Sequence, residues 1–303
     1  MASWGELLRE LKGHGSPCDL LRRKQLRRLH QLTGRNVIIY YSGWLQKGER
    51  VGMSRSLFGI NDADKDGFMA AIHKLDPKKG LDLFLHTPGG EMAATESIVE
   101  YLRDKFRMNI RAVVPQMAMS AGTMIACACS SILMGRQSSL GPIDPQINGL
   151  PAHGILEEFE RAKREIAKFP PSVAVWQPII AKYHPTLIGE CEKAIRLATS
   201  IVGEWLRTGM FDGMPDAAPK AVRVVTELGD HAVTMSHARH VSAKKARAIG
   251  LAVESLEENQ RLQDAVLSTH HACMLTLAET PACKIIENHL GAARIEIVRI
   301  AKD

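Results

Sequence analysis

Aromatic side chains, cysteine pairs and long apolar runs are all scarce in this 303-residue sequence. Aromatic residues make up only 5% of it, which argues against a surface that stacks nucleic-acid bases. The six cysteines include no Cys-X-X-Cys pair, so we expect reduced thiols and no structural zinc. No apolar run approaches the roughly 18 residues that a membrane span needs, and the first residues lack the apolar core of a signal peptide. We therefore expect a cytoplasmic protein with no metal and no nucleic-acid partner.

The sequence predicts three segments. Residues 1–34 have a helical leucine pattern and a basic run from Arg22 to Arg28, and form a basic helical N-terminal arm. This arm either packs on the domain or on a neighbouring subunit, or it binds an acidic partner or a membrane surface. Residues 35–210 form the expected catalytic core, and residues 211–303 form a mostly helical C-terminal extension.

Predicted strands alternate with predicted helices from residue 37 to residue 134. β-branched and aromatic residues fill Val37–Tyr41, and similar short runs occupy 81–85, 110–115 and 131–134. Helical patterns lie between them, at 67–75, 93–106 and 120–128. This alternation favours a mainly parallel sheet with crossover helices. Functional residues in such folds usually follow the carboxyl ends of the strands. The C-terminal region is predicted to be helical, with a small strand near Val253.

Two glycine-containing turns follow successive predicted strands. The glycines of Thr87-Pro88-Gly89-Gly90 let the backbone approach a ligand closely. In Met119-Ser120-Ala121-Gly122-Thr123, a serine flanked by small residues lies at a strand-to-helix turn, where a nucleophile is accessible. Each motif also has a simpler interpretation, namely an ordinary turn for the first and a helix N-cap for Ser120. Together, the two turns would bring a nucleophile and backbone N–H donors side by side.

These motifs resemble those of a known superfamily. His86-Thr87-Pro88-Gly89-Gly90 followed by Ala118-Met119-Ser120-Ala121-Gly122-Thr123 is similar to the superfamily of the Clp protease proteolytic subunit, signal peptide peptidase A and crotonase. Ser139-Leu140-Gly141-Pro142-Ile143-Asp144-Pro145-Gln146 narrows the resemblance to the serine dehydrogenase proteinase family. Lys284-Ile285-Ile286-Glu287-Asn288-His289 also looks familial. The resemblance implies a Clp protease/crotonase-like α/β fold, with a mainly parallel twisted sheet flanked by helices.

The resemblance also assigns roles at the two turns. Ser120 would be the nucleophile of a serine peptidase that forms an acyl-enzyme. The backbone N–H groups of Gly89 or Gly90 and of Ala121 would form the oxyanion hole. Independently of the resemblance, His86 precedes the Pro-Gly-Gly turn and should therefore lie near the site, where it either acts as a catalytic or substrate-contacting group or packs and hydrogen-bonds to the backbone.

The general base is where the sequence departs from the Clp pattern, because no histidine occurs between Ser120 and His153. The signal peptide peptidase branch uses a lysine, which acts as a base when burial lowers its pKa. Lys163 is our first candidate for this Ser–Lys dyad, and Lys168 is the alternative; the simpler interpretation is that both are solvated lysines on a charged helix. Asp144 would orient the base or shape the site, or it is an ordinary capping or turn aspartate.

Three functions compete on this evidence. The first is a serine peptidase that acts on a polypeptide and assembles as a homo-oligomer, as relatives of the fold do. The second is a crotonase-like enzyme that binds an acyl-thioester oxyanion in the same hole, and the third is a non-catalytic interaction scaffold. No dinucleotide fingerprint is present, so we expect no cofactor.

One acidic stretch and one histidine-rich stretch resemble metal-binding motifs. Asp62-Ala63-Asp64-Lys65-Asp66-Gly67 copies the start of a calcium loop, but His73 stands where that loop requires a bidentate glutamate. An acidic start to the following helix explains the stretch better. His231, His237 and His240 have no supporting metal motif. We therefore predict no metal site at either place.

Overall fold

The computed structural model describes residues 16–48, 55–229 and 238–298 of the chain. Within them the strands are β1 (Asn36–Ser42), β2 (Leu81–His86), β3 (Ile110–Val114), β4 (Met117–Ala118), β5 (Ser131–Met134), β6 (Ser139–Leu140), β7 (Gln146–Ile147), β8 (Leu150–Pro151), β9 (Val241–Ser242), β10 (Val253–Ser255), β11 (Ala282–Asn288) and β12 (Ala293–Ile297). The α-helices of the same residues are α1 (Pro17–Thr33), α2 (Trp44–Lys47), α3 (Asp64–Ile72), α4 (Met92–Phe106), α5 (Ala121–Cys127), α6 (Ala152–Lys168), α7 (Val173–Ile180), α8 (Leu187–Arg207), α9 (Ala217–Gly229), α10 (Ala243–Ala248) and α11 (Gln260–Glu279).

Seven of these strands form the main sheet, in the order β10–β5–β3–β2–β1–β11–β12. Neighbouring strands run parallel from β10 to β1, and β11 and β12 add two antiparallel pairings at the other end. Because parallel strands end at the same edge of a sheet, the turns that follow β2 and β3 lie close together. A hydrogen-bonded bridge between Thr87 and Ala118 joins them.

Helices cover both faces of the sheet. Alternate residues of β1 belong to different core clusters, with Ile38 and Tyr40 on one face and Val37 and Ile39 on the other. The first face packs against α3, α4 and α5, and the second against α1 and α11. The prediction of a mainly parallel sheet flanked by helices is confirmed.

The last two strands were missed by the sequence pattern, which predicts helix over residues 282–297. Lys284 and Glu287 lie three residues apart, as on the polar face of a helix, yet both side chains are fully buried in β11. Each is paired with an oppositely charged side chain from a distant part of the chain. The sheet therefore takes strands from both the predicted core and the predicted C-terminal extension.

The basic arm is represented by α1, which packs against α11. Arg22 is fully buried in an ion pair with Glu287, so part of the basic run is structural. Lys24, Arg27 and Arg28 are exposed on the opposite side of the helix. These three side chains form an exposed basic surface on α1.

Candidate active site

Ser120 occupies a strained turn between β4 and α5. Its backbone has φ +50° and ψ −116°, a conformation that residues other than glycine rarely adopt. Such conformations cost about 1–3 kcal/mol and occur mainly at functional sites. A serine on a sharp strand-to-helix turn is also the geometry of an exposed nucleophile. The simpler interpretation as an N-cap fails, because the Ser120 side chain makes no capping hydrogen bond to α5.

The Pro-Gly-Gly turn lies directly against Ser120. A β-carbon added to Gly89 would lie 2.6 Å from the β-carbon of Ser120 and 3.2 Å from the backbone nitrogen of Ala121. Gly89 also has φ +109°, so both space and backbone conformation require glycine there. The two turns that the sequence places about 30 residues apart are therefore in contact.

The two glycines of this turn differ in their backbone donors. The N–H of Gly89 donates to the side-chain oxygen of Thr87 at 3.2 Å, so it is engaged within the turn. Gly90 and Ala121 instead line the cleft next to Ser120. Of the predicted oxyanion-hole residues, Gly90 and Ala121 thus have the better placement, and Gly89 provides the close approach.

The cleft at Ser120 has a volume of roughly 380 Å³. Both turns and the segment after β6 form its walls. The lining residues are Pro88, Gly90, Glu91, Met92, Ser120, Ala121, Met124, Ile143, Asp144, Pro145 and Gln146.

Asp144 enters this cleft on a segment that is tied to the serine turn. The N–H of Gly141 donates to the side-chain oxygen of Thr123 at 2.8 Å, and the Thr123 hydroxyl donates to the Ala118 carbonyl oxygen at 2.7 Å. A β-carbon added to Gly141 would lie 3.1 Å from the Ser120 nitrogen. The fully buried Asp144 carboxylate is held in the wall of the cleft by this packing.

The predicted lysines lie elsewhere. Lys163 is exposed on α6 and forms an ion pair with Glu160 at 2.7 Å, and Lys168 is exposed on the last turn of the same helix. Over the described ranges, the cleft lining includes neither a lysine nor a histidine. The structure therefore brings Ser120, Gly90, Ala121 and Asp144 together and leaves both candidate bases outside the cleft of their own chain.

His86 points away from the cleft, which does not fit its predicted contact with the substrate. Successive strand residues face opposite sides of the sheet, and His86 shares its face with Phe84 of the second core cluster. Its ring is fully buried, with ring centroids 4.4 Å from Trp44 and 5.4 Å from His270. Burial, with a smaller contribution from His270, lowers the pKa of His86 to about 3. His86 is therefore a neutral side chain that packs against Trp44 and His270.

Two threonines that sequence reasoning overlooked hold the site. Thr87 accepts the Gly89 N–H, and Thr123 links the segment after β6 to the end of β4. Both side chains are fully buried. Their positions, immediately before Pro-Gly-Gly and three residues after the serine, were the available signal.

Within the described residues, the two stretches that resemble metal-binding motifs have structural explanations. Asp64 begins α3 and forms an ion pair with Lys284 at 2.9 Å. His240 is exposed, whereas His231 and His237 lie outside the described residues. In the described parts of the chain, no group of three or more histidine, cysteine or acidic side chains could hold a metal ion. None of the helices in these parts combines the length and apolar character that crossing a bilayer requires.

Comparison with known proteins identifies the family. Two curated relatives come from Methanocaldococcus jannaschii. Uncharacterized protein MJ0137 is 34% identical over 149 residues, which cover 47% of this chain and 49% of the relative. Uncharacterized protein MJ1495 is 29% identical over 177 residues, which cover 58% of this chain and 56% of the relative. The chain spans about half the length of the curated relatives it matches. The family model described as ClpP-like SDH-type serine proteinase matches residues 18–259, so the chain belongs to that family.

Proposed function

We propose that this protein hydrolyses peptide bonds through an acyl-enzyme on Ser120. The observation that carries the proposal is the strained backbone of Ser120, held in contact with a glycine turn at the mouth of a cleft. Strain of this kind persists only where the surrounding structure enforces it, and it is common at nucleophiles. Membership of a serine proteinase family supports the same reaction.

The proposed reaction uses the groups that line the cleft. The Ser120 oxygen attacks the peptide carbonyl carbon while a base takes the hydroxyl proton. The N–H groups of Gly90 and Ala121 donate to the oxyanion that forms, and each such donor contributes about 3–4 kcal/mol to the transition state. The base then gives its proton to the nitrogen of the leaving amine as the C–N bond breaks. Water attacks the ester carbonyl carbon while the base takes its proton, and the bond to the Ser120 oxygen breaks as that oxygen regains a proton from the base, which releases the acid product.

We further propose that a lysine from a second copy of the chain serves as the base. The N–H of Ala152, at the start of α6, donates to the Pro145 carbonyl oxygen in the cleft wall at 2.9 Å. Lys163 follows 11 residues later, which is about 16 Å along the helix, and Lys168 lies further still. These distances make a lysine of the same copy a poor candidate.

The surface beside α6 supports such an assembly. Phe169 exposes 63% of its surface in the segment that joins α6 to α7, and Val175 and Ile179, one turn apart on the same face of α7, expose 63% and 38%. Contiguous exposed apolar residues are typical of protein interfaces. A neighbouring copy that covers them would bury the α6 lysine at a cleft, where loss of water favours the neutral amine. Asp144 would then orient the lysine.

A fluorophosphonate probe and labelled casein test the proposal. We expect the wild-type protein to cleave casein and to carry one probe adduct on the peptide that contains Ser120. The Ser120→Ala protein, which keeps its fold, should do neither. Casein cleavage at the wild-type rate by Ser120→Ala would reject the proposal. A crotonase-like enzyme or a non-catalytic scaffold would leave Ser120 unlabelled.

Mixing two inactive variants tests the origin of the base. Ser120→Ala retains the lysine and Lys163→Ala retains the serine, so mixed oligomers regain intact sites only if the two residues come from different copies. Random exchange of subunits should restore about a quarter of the wild-type activity. The same mixture made with Lys168→Ala tests the alternative lysine. No recovery, with both single variants inactive, would place serine and lysine in one copy.

A further inference from the structure

Lys284 is a buried lysine in β11, and its ammonium group contacts the segment that leads into α3. Only 1% of its surface is exposed. Its Nζ lies 2.9 Å from Oδ1 of Asp64 and donates to the Gly59 carbonyl oxygen at 2.9 Å. A second carboxylate, from Glu296, lies 3.7 Å from the same nitrogen. The ammonium group therefore holds a carboxylate and a backbone carbonyl at once.

Ile60, the residue after Gly59, is hydrogen-bonded to the glycine turn of the cleft. The N–H of Ile60 donates to the Gly89 carbonyl oxygen at 2.8 Å, and the Ile60 carbonyl oxygen accepts from the Glu91 N–H at 2.8 Å. A β-carbon on Gly90 would lie 2.2 Å from the Ile60 nitrogen. Because two backbone hydrogen bonds join Ile60 to the residues on either side of Gly90 and no room for a side chain remains between them, a displacement of Ile60 also displaces Gly90.

A second connection leads from Lys284 to the same turn. Oδ2 of Asp64 accepts a hydrogen bond from the Tyr40 hydroxyl at 2.8 Å. The Thr87 side chain lies beside the Tyr40 hydroxyl. Thr87 in turn accepts the Gly89 N–H at 3.2 Å. The two connections meet at Gly89, one through the backbone of Ile60 and one through side chains.

We propose that Lys284 is a positioning residue, which acts with Asp64 and Tyr40 to hold the Gly89–Gly90 turn so that the Gly90 N–H faces the oxyanion. The inference rests on the proposed hydrolysis at Ser120. These three side chains touch neither the cleft nor the substrate, and they act through Ile60 and Thr87. We call them the Lys284 network.

An ionic network suits this task. Buried ion pairs are costly to form, and an apolar replacement of similar volume often stabilises a protein at least as well. What they add is direction, since the Asp64 carboxylate and the Lys284 ammonium bind each other and also fix two neighbours, the Tyr40 hydroxyl and the Gly59 carbonyl oxygen. Displacement of a catalytic group by about 1 Å can cost on the order of a hundredfold in rate.

Two tyrosines provide a matched test. Tyr40 and Tyr41 are neighbours on β1, both are fully buried, and their hydroxyls form hydrogen bonds with different side chains, Asp64 for Tyr40 and His270 for Tyr41. Tyr41 pairs with His270 on the opposite face, at 3.1 Å. Tyr40→Phe should lower both kcat and the rate of fluorophosphonate labelling of Ser120 about tenfold, with KM within about twofold, because an oxyanion donor acts in the transition state. Tyr41→Phe should leave all three within about twofold.

A second pair of variants separates positioning from stability. Lys284→Met removes a buried cation paired with Asp64, and Arg22→Met removes a buried cation paired with Glu287 on the same strand. Both variants should melt at lower temperatures. Only Lys284→Met should also slow labelling and kcat, by on the order of a hundredfold in the folded protein. If Lys284→Met does not fold, the tyrosine pair decides.

Each outcome bears on a different claim. Absence of labelling in the wild-type protein overturns the proposed function and the role of the network with it. Normal wild-type labelling with equal rates for Tyr40→Phe and Tyr41→Phe overturns the positioning role alone. Equal slowing by Lys284→Met and Arg22→Met does the same, because both would then act through general stability.

Discussion

Replacing Ser120 with glycine should stabilise the protein while it abolishes activity. The serine backbone, at φ +50° and ψ −116°, carries a strain of about 1–3 kcal/mol that glycine does not have. Glycine loses more conformational freedom on folding, which costs roughly 0.5–1 kcal/mol. The net gain should be about 1 kcal/mol, which raises Tm by about 2 °C in a chain of this size.

Arg107 offers a matched control. It is exposed and has φ +54° and ψ −137°, close to the backbone conformation of Ser120, but it lies at the end of α4 outside the cleft. Arg107→Gly should therefore raise Tm by a similar amount and leave activity unchanged. Ser120→Ala should be inactive without the gain in stability, because alanine is strained in the same conformation.

Scanning calorimetry and casein cleavage together measure both effects. We expect a higher Tm for Ser120→Gly than for Ser120→Ala, with both variants inactive. A Ser120→Gly protein that melts below Ser120→Ala would refute the idea that this turn stores backbone strain. One that retains casein cleavage would refute the role of the Ser120 hydroxyl.

Three further predictions concern the site and the cores. Gly89→Ala should lower kcat by at least about a hundredfold, since its β-carbon would lie 2.6 Å from the neighbouring Ser120 β-carbon and its φ is +109°; near-normal kcat would contradict the close packing. Lys163→Ala should lower kcat about a thousandfold in steady-state assays, whereas an unchanged value would exclude this lysine as the base. Burial lowers the pKa of His86 to about 3 and that of His270 to about 4. As the pH falls, both imidazoles are therefore protonated in the unfolded chain, near pH 6.5, before they are protonated in the folded protein. The stabilisation from these two neutral histidines is complete above pH 6.5. As the pH falls towards 4, the free energy of unfolding decreases by about 1.4 kcal/mol per pH unit for each of the two histidines. A Tm that stays constant from pH 7 to pH 4.5 would contradict this.

The sequence predicts the parallel half of the sheet because its strands are continuous runs of apolar residues. Runs such as Val37–Tyr41 need no knowledge of their partners, since both faces of these strands are buried. The turns at Gly89 and Ser120 follow from their positions at strand ends. Local pattern and local chemistry agree at these places.

Strand β11 shows what local pattern lacks. Lys284 is separated from Asp64 by 220 residues in sequence, and Glu287 from Arg22 by 265. A charged residue is expected to be exposed unless its partner is known, so the pattern of this strand predicts a solvated helix. The same lack of information about distant partners hides the Lys284 network, whose three side chains come from three separate segments of the chain.

The identity of the general base could not be predicted, for a different reason. Lys163 and Lys168 are both exposed on one chain, so neither sequence spacing nor the fold of a single copy selects between them. Only an assembly that brings α6 of one copy to the cleft of another would distinguish them. For His86 the structure favours the packing interpretation over contact with the substrate, since its neighbour Thr87 faces the site and alternate residues face away.

The most direct test of the central claim is to trap the acyl group during turnover. An activated peptide ester is mixed with the protein, the reaction is quenched in acid within milliseconds, and the digest is examined by mass spectrometry. We predict an acyl adduct on the peptide that contains Ser120, formed and lost at rates that match product release. Turnover with no adduct, or with the adduct on another residue, would contradict the account.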